Sequence, residues 1–521
     1  MSRSSPFPIP NGSQEDSLRC MCFHQGALPG TDPMQSMHSA RFILQPCTTG
    51  RRRRRLESSN NPATTPEAKD AHKTHTQWPR LRFMSHFNVT AAIPQRPPRG
   101  SPAPSLPAWV ALIDEEQTAE HSTANNLAKS SALDVSPATY GLRNGCTSDT
   151  ILHAIAGISP EELTQWTVGE RHLLGHFLQS VARALSVVDD ESNPFMNTIA
   201  PMSTTRPEVR HALLALSAAH ISKTYPEFVT DLLDHRSRAM LGLKAILPTT
   251  TSTVYALATV LLLCLADLCE GGSRKWLLHL HGARALLETS TATSERPMQF
   301  LIVLYNYLCC VTRVTQPNSP APLSSSLVSH YMDPIYGLSM ELYDYLERIN
   351  GLAIAKAHNE AANMASLEAK AITMDESLRT WSPPVPPSSP EHATAAKAAA
   401  TAMRWAVRIR LHQTVPGLSS PDYDDQTAVH QILSALSLVR IGSDEEARLL
   451  LPLFMAGLAA GTKADRLTIE YRINNLELVR GFANISVVHR LLQDYWHRAN
   501  CGQETSWEEL MRDGCPGLVL A

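Results

Sequence analysis

His172 and His176, in the stretch HLLGH, stand four residues apart, the spacing that sets two imidazoles on one helix face and can bind a divalent metal. No third ligand is evident nearby, and the residues between them include no glutamate to serve as a metallopeptidase base, so a packed or surface pair is expected. His279 and His281, only two apart, diverge on a helix and make a poorer site. The run DDESN, residues 189–193, gathers carboxylates that could hold magnesium, but it also falls where a helical pattern stops. Five consecutive arginines, Arg51, Arg52, Arg53, Arg54 and Arg55, cannot all be buried or paired, which leaves them solvated and available for phosphates or an acidic groove. Catalytic motifs built on a nucleophilic serine elbow, a phosphate-cradling glycine loop or a dinucleotide fingerprint do not occur. The expected reading is a protein that is not an enzyme.

What must position these residues is a helical body behind a different kind of head. The formal charge of the 521 residues is −3, yet residues 1–100 hold 14 Lys and Arg against 6 Asp and Glu. That leaves a basic arm on an acidic body, a division that suits a polyanion or an import receptor at one end. The first 110 residues carry 15 of the 36 prolines, and so polar a segment cannot bury enough apolar area to offset the entropy lost on ordering. Residues 1–150 are therefore expected to be a disordered, Pro-, Ser- and Arg-rich region. The opening MSRSSPFPIPNGSQEDS lacks the apolar core of a secretory signal, so an intracellular protein is expected. The longest apolar run, Val254 to Ala266, falls short of the roughly 20 residues needed to cross a bilayer and reads as a buried helix, with no membrane partner.

From about residue 160 to 521 the periodicity is helical throughout. Leu163, Trp166, Leu173, Phe177, Val181, Leu185 and Val188 fall three or four apart, which predicts one amphipathic helix interrupted only by Glu170. Thr205 and Glu208 have the spacing of a capping box for the next helix, and Ser273 is placed to cap RKWLLHLHGARALLE. A helix over EFVTDLLDHRSRAMLGLKAIL is expected to end at Pro248. Further helices are predicted at about 298–313, 339–358, 364–380, 395–412, 426–440, 444–460, 463–480, 485–499 and 506–513. No alternating strand is found. The fold class is all-α, an array of about a dozen helices, in which Cys264, Cys269, Cys309 and Cys310 are small core residues with free thiols.

In order along the chain stand HLLGHFLQS, NPFMNTIAP, RHALLALSAAHIS, HRSRAMLGLKAIL, ALATVLLLCLADLCEGGSRKWLLHLHGARALLE, DPIYGLSMELYDYLERINGLA, RIRLHQTVPGL, LLLPLFMAGLAAGTKADR, VVHRLLQDYWHR and SWEELMRDG. Together they resemble the fungal-specific transcription factor domain, the helical regulatory region of fungal zinc binuclear cluster regulators, over roughly residues 170–521. The resemblance implies a nuclear transcription regulator that works through import receptors and the transcription machinery, with a small apolar ligand in some relatives. It also implies an N-terminal module of six cysteines holding two zinc ions. Here the head offers only Cys20, Cys22, Cys47 and Cys146, without paired ligand spacing, so no zinc and no base-specific DNA reading are expected. Arg51 to Arg55 are then a nuclear import signal or a non-specific phosphate contact. A co-regulator without DNA-reading power, acting beside a DNA-binding partner protein, is the alternative. DDESN also resembles the first magnesium motif of the all-α terpene synthases, but the second motif of those enzymes is missing, which leaves that reading a distant third.

Overall fold

The structure, a computed structural model, describes residues 158–521 except 190, 248–252, 291–294, 324–332, 358–363, 386–389 and 504–505. The arginine run, the four head cysteines and the expectation of disorder over 1–150 lie outside the described residues. Within them the architecture is helical, with one isolated β-bridge, Asp333 to Gly337, and no strand.

The first stretch corrects the single long helix. α1 (Pro160–Leu163) is capped by Ser159, the chain then turns, and α2 (Val168–His176) starts afresh at Thr167. The Thr167 hydroxyl accepts the Glu170 amide and the Glu170 carboxylate accepts the Thr167 amide, a capping box that satisfies two otherwise orphaned donors. Glu170, expected as a flaw in the apolar stripe, is the residue that starts the helix. The path runs on through a π-helical turn, Phe177–Val181, to Ala182–Ala184.

The capping box at Thr205 and Glu208 does not form. α3 (Ala200–Thr205) runs almost directly into α4 (Pro207–Ser222), so Thr205 belongs to the preceding helix and its hydroxyl donates to the Met202 carbonyl. Arg206 takes the cap position, Pro207 starts the helix, and Glu208 is buried. Ser273 does accept the Lys275 amide, at 3.4 Å, although the formal cap of its helix is Arg274.

α4 packs along α5 (Val229–Ile246) and α6 (Thr253–Glu270), and α6 packs in turn on α7 (Lys275–Thr289) and α8 (Arg296–Thr315). Every residue of α6 from Ala256 to Cys269 is buried, as the apolar run predicted. Both α6 and α8 are as folded long and apolar enough to cross a membrane, so length does not distinguish them from membrane spans. Burial does: 78% and 72% of their apolar windows are enclosed by other helices of this domain, the signature of core helices. At its polar end α6 carries Asp267, buried against Arg236 of α5 at 3.2 Å and His279 of α7 at 3.3 Å, so the buried charge is paired.

A second group follows through α9 (Met340–Ala357) and α10 (Met364–Thr380). α11 (Pro390–Thr414) packs on α12 (Asp425–Leu436) and α13 (Leu450–Ala459), and α13 packs on α14 (Lys463–Arg480) and α15 (Ala483–Asn500). α15 returns to lie against α6 and against α16 (Trp507–Gly514), closing the two groups on one another. Two predicted helices are shorter than expected. α12 ends at Leu436 in a turn, and the 444–460 segment is a 3₁₀ turn, Asp444–Arg448, followed by α13, because Glu446 is drawn inward to the Gly442 amide at 2.7 Å and Arg472 at 2.9 Å. The tail Pro516–Ala521 is packed inside. Trp276 and Thr315 donate to the carbonyls of Gly517 and Leu518 at 3.1 and 2.7 Å, and Asn484 donates to those of Val519 and Ala521.

Gly271, after α6, has φ +75°, and a Cβ there would lie 2.8 Å from the backbone of Ala483 and Asn484. Gly271→Ala is predicted to lower stability by at least about 1–2 kcal/mol, the left-handed penalty alone. The check is the urea midpoint of unfolding, which should fall without loss of far-UV helicity.

Candidate functional site

The structure separates the two histidines that share a face of α2. His172 is exposed and its ring stacks on Phe228, centroids 5.8 Å apart. His176 turns to α4, where its Nε2 lies 2.9 Å from Nδ1 of His220, and Nε2 of His220 lies 2.8 Å from the Arg480 carbonyl of α14. A carbonyl only accepts, so His220 Nε2 carries the proton and its Nδ1 accepts from His176. The relay ties α2, α4 and α14, and Gly481 has no side chain to obstruct the ring, since a Cβ there would sit 2.9 Å from it. His279 is buried against Asp267 while His281 is exposed, the expected divergence.

The described residues of DDESN, 189 and 191–193, lie in a helix-terminating loop. Asp189 pairs with Arg183 at 2.9 Å, and buried Asn193 donates to the Ala182 carbonyl at 3.1 Å while accepting the Phe195 amide at 3.0 Å. These contacts hold the end of one helix to the start of the next. Cys264, Cys269, Cys309 and Cys310 are buried free thiols, as expected. Burial pushes all four up, Cys309 to about 12, so none is a ready nucleophile.

Two of the cavities among the described residues bear on ligand binding. One, of about 50 Å³, lies beside Phe195, Leu268 and Ile485 with Arg448 and Arg480 at its edge. Both guanidiniums are engaged by main-chain carbonyls: Arg448 donates to Leu185 at 2.6 Å and Arg480 to Arg183 at 3.2 Å. That volume holds a few waters and no regulator of drug size, which needs roughly 300 Å³ or more. The other, of about 300 Å³, is a cleft between α8 and α9. Tyr336, Tyr343 and Cys310 give it an apolar wall, and Asp344, Glu347 and Arg348 give it a charged rim. Burial pushes the Tyr336 and Tyr343 phenols up and raises the Asp344 and Glu347 carboxyls, while Arg313 holds Glu347 at 3.0 Å.

A third constellation has no counterpart in the sequence reading. Glu170 of α2, His211 of α4 and His235 of α5 place one donor atom each within 4.8 Å of one another. The two Nδ1 atoms are 3.1 Å apart, and the Thr167 amide fixes one carboxylate oxygen of Glu170 at 2.8 Å. Burial lowers His211 to about 4 and lowers His235, so both rings are neutral bases at physiological pH. Burial opposes ionisation of Glu170, but hydrogen bonds from Thr167 outweigh it and hold the carboxyl below its usual range. Finally, α14 exposes Leu467, Tyr471 and Leu478 at 55%, 59% and 83%, spaced four and seven apart and so on one face.

The described residues thus form an all-helical domain of two helical groups, with a cleft of about 300 Å³ between α8 and α9 and an exposed apolar face on α14. Residues 172–521 match the model of the fungal specific transcription factor domain. The chain belongs to that family, a transcription factor regulatory domain and not a known family of enzymes. No curated protein and no solved structure matches it.

Burial, helped by the positive fields of His220 and His172, lowers His176 to about 4, and burial lowers His220 as well. Between the unfolded value near 6.5 and the folded one, the unfolded chain binds more protons, so stability is full above about pH 7 and falls as pH drops toward 4. His176→Gln should flatten that decline. The check is the unfolding free energy measured from pH 7.5 to 4.5, and equal slopes in both proteins would refute the assignment.

Proposed function

We propose that this chain is a nuclear transcription regulator that acts through its helical domain. The match of residues 172–521 to the family, on a fold that is helical throughout the described region, carries this reading. In it, Arg51 to Arg55 bind an import receptor and secondarily phosphates, and the α8–α9 cleft receives a small, largely apolar ligand. The exposed Leu467, Tyr471 and Leu478 face of α14 engages the transcription machinery or a DNA-binding partner, since clustered exposed apolar groups mark interaction surfaces.

The co-regulator reading is favoured by one specific observation: Cys20, Cys22, Cys47 and Cys146 lack the paired spacing that two zinc ions need. Both readings share the helical domain and differ in who reads DNA. Titrating the chain with random duplexes and with a CGG-containing duplex at several salt concentrations separates them. Coincident curves that weaken together, with a slope near −0.9 per neutralised phosphate, support the co-regulator. A hundredfold preference for the CGG duplex at every salt supports direct reading.

Two outcomes test the regulator itself. Replacing Arg51 to Arg55 with alanine is expected to move a fluorescent fusion from nucleus to cytoplasm, and an unchanged nuclear signal refutes the import role. Tethered to a heterologous DNA-binding module, the full chain is expected to change reporter transcription severalfold. Leu478→Asp with Tyr471→Ser should abolish that change while leaving the unfolding free energy within about 0.5 kcal/mol of the parent, as for surface substitutions.

A further inference from the structure

We propose that Glu170, His211 and His235 form a binding site for a divalent transition metal ion, zinc by the chemistry of its donors, that clips α2 to the α4–α5 pair. Two imidazoles and a carboxylate suit zinc, and a tetrahedral ion with nitrogens at about 2.0–2.1 Å requires those nitrogens to be about 3.3 Å apart. The Nδ1 atoms of His211 and His235 stand 3.1 Å apart already. All three donor atoms lie within 4.8 Å of one another. The carboxylate closes the site by a side-chain adjustment.

A hydrogen bond between the two imidazoles would explain their approach but not the third donor. Glu170 comes from a separate helix, and its carboxylate is oriented before any ion arrives because the Thr167 amide holds Oε2 at 2.8 Å. The neighbouring cations are already engaged. Arg210 donates to the Ser203 and Thr204 carbonyls and lies 4.5 Å over the Trp166 ring, while Arg238 pairs with Asp234 at 3.0 Å. An incoming ion therefore meets one carboxylate and two imidazoles whose donor atoms already converge. His235 is buried, but Glu170 and His211 are only half-buried, which provides a path in and a solvent-facing fourth position for water. The expectation of no metal rested on cysteine spacing in the head and did not bear on ligands drawn from three helices.

The test uses the full chain, stripped with a chelator and titrated with cobalt(II) and then with zinc. The expected result is one equivalent of cobalt showing ligand-field absorption without thiolate charge transfer, displaced by zinc. Glu170→Gln keeps the capping box, because glutamine serves at that position as glutamate does, and removes only the anionic ligand. It should weaken cobalt affinity by about tenfold or more, with helicity and the thermal midpoint in chelator unchanged. His211→Gln and His235→Gln should abolish that equivalent, while His176→Gln should leave it intact. The proposal is overturned if wild type shows only thiolate-type cobalt absorption. It is overturned equally if Glu170→Gln and His211→Gln both bind cobalt as wild type does.

Discussion

A helix with no polar face has to be surrounded, and α6 imposes that requirement on everything else. Its buried stretch from Ala256 to Cys269 includes six leucines, each worth roughly 1.5–3 kcal/mol when fully removed from water. No single partner can cover a cylinder, so α4, α7, α8 and α15 are drawn to different sides of it. α15 arrives more than two hundred residues later in the chain. The two helical groups are thus one cooperative body, held by a demand that originates in a single segment.

The charges buried with this core are arranged as anchors. Arg236 meets Asp267 and Glu270 at the polar end of α6, and Arg408 of α11 meets Asp375 of α10 at 2.9 Å, with Ser420 and Asp422 beside it. Burial opposes ionisation of Asp375, but His412, Arg408 and Ser420 hold its carboxyl well below the ordinary range. Arg448 and Arg480 do the same work with carbonyls: Arg448, in the turn before α13, holds the Leu185 carbonyl, and Arg480, at the end of α14, holds those of Arg183 and Ser443. Breaking one partner of such a set leaves an uncompensated buried charge, so these arginines constrain where helices can slide more than they add to stability.

Helix existence was legible because apolar period survives almost any tertiary context, and the segments at 364–380 and 463–480 agree with the structure at both ends. Helix breaks were less so. Leu163, Trp166 and Leu173 are all buried on either side of the turn at Thr167, and a periodic stripe reads the same whether the chain bends or not. Thr167 and Glu170 carried the missing signal, a capping box inside the stripe. At Thr205 the same signal misled, because another helix already claimed the threonine. Convergence of Glu170, His211 and His235, and of His176 with His220, had no local trace, since each partner lies on a different helix and only packing selects which faces meet.

The tail from Pro516 to Ala521 has a consequence for how the protein comes into being. It supplies carbonyls to Trp276, Thr315 and Asn484, residues on three separate helices. A ribosome makes these six residues after everything they lock together. Until then the apolar groove that will take Leu518, Val519 and Leu520 stands open on a nascent chain, the kind of transient exposure that invites aggregation and chaperone capture. Folding of this domain is therefore completed only after residues 516–521 have left the exit tunnel.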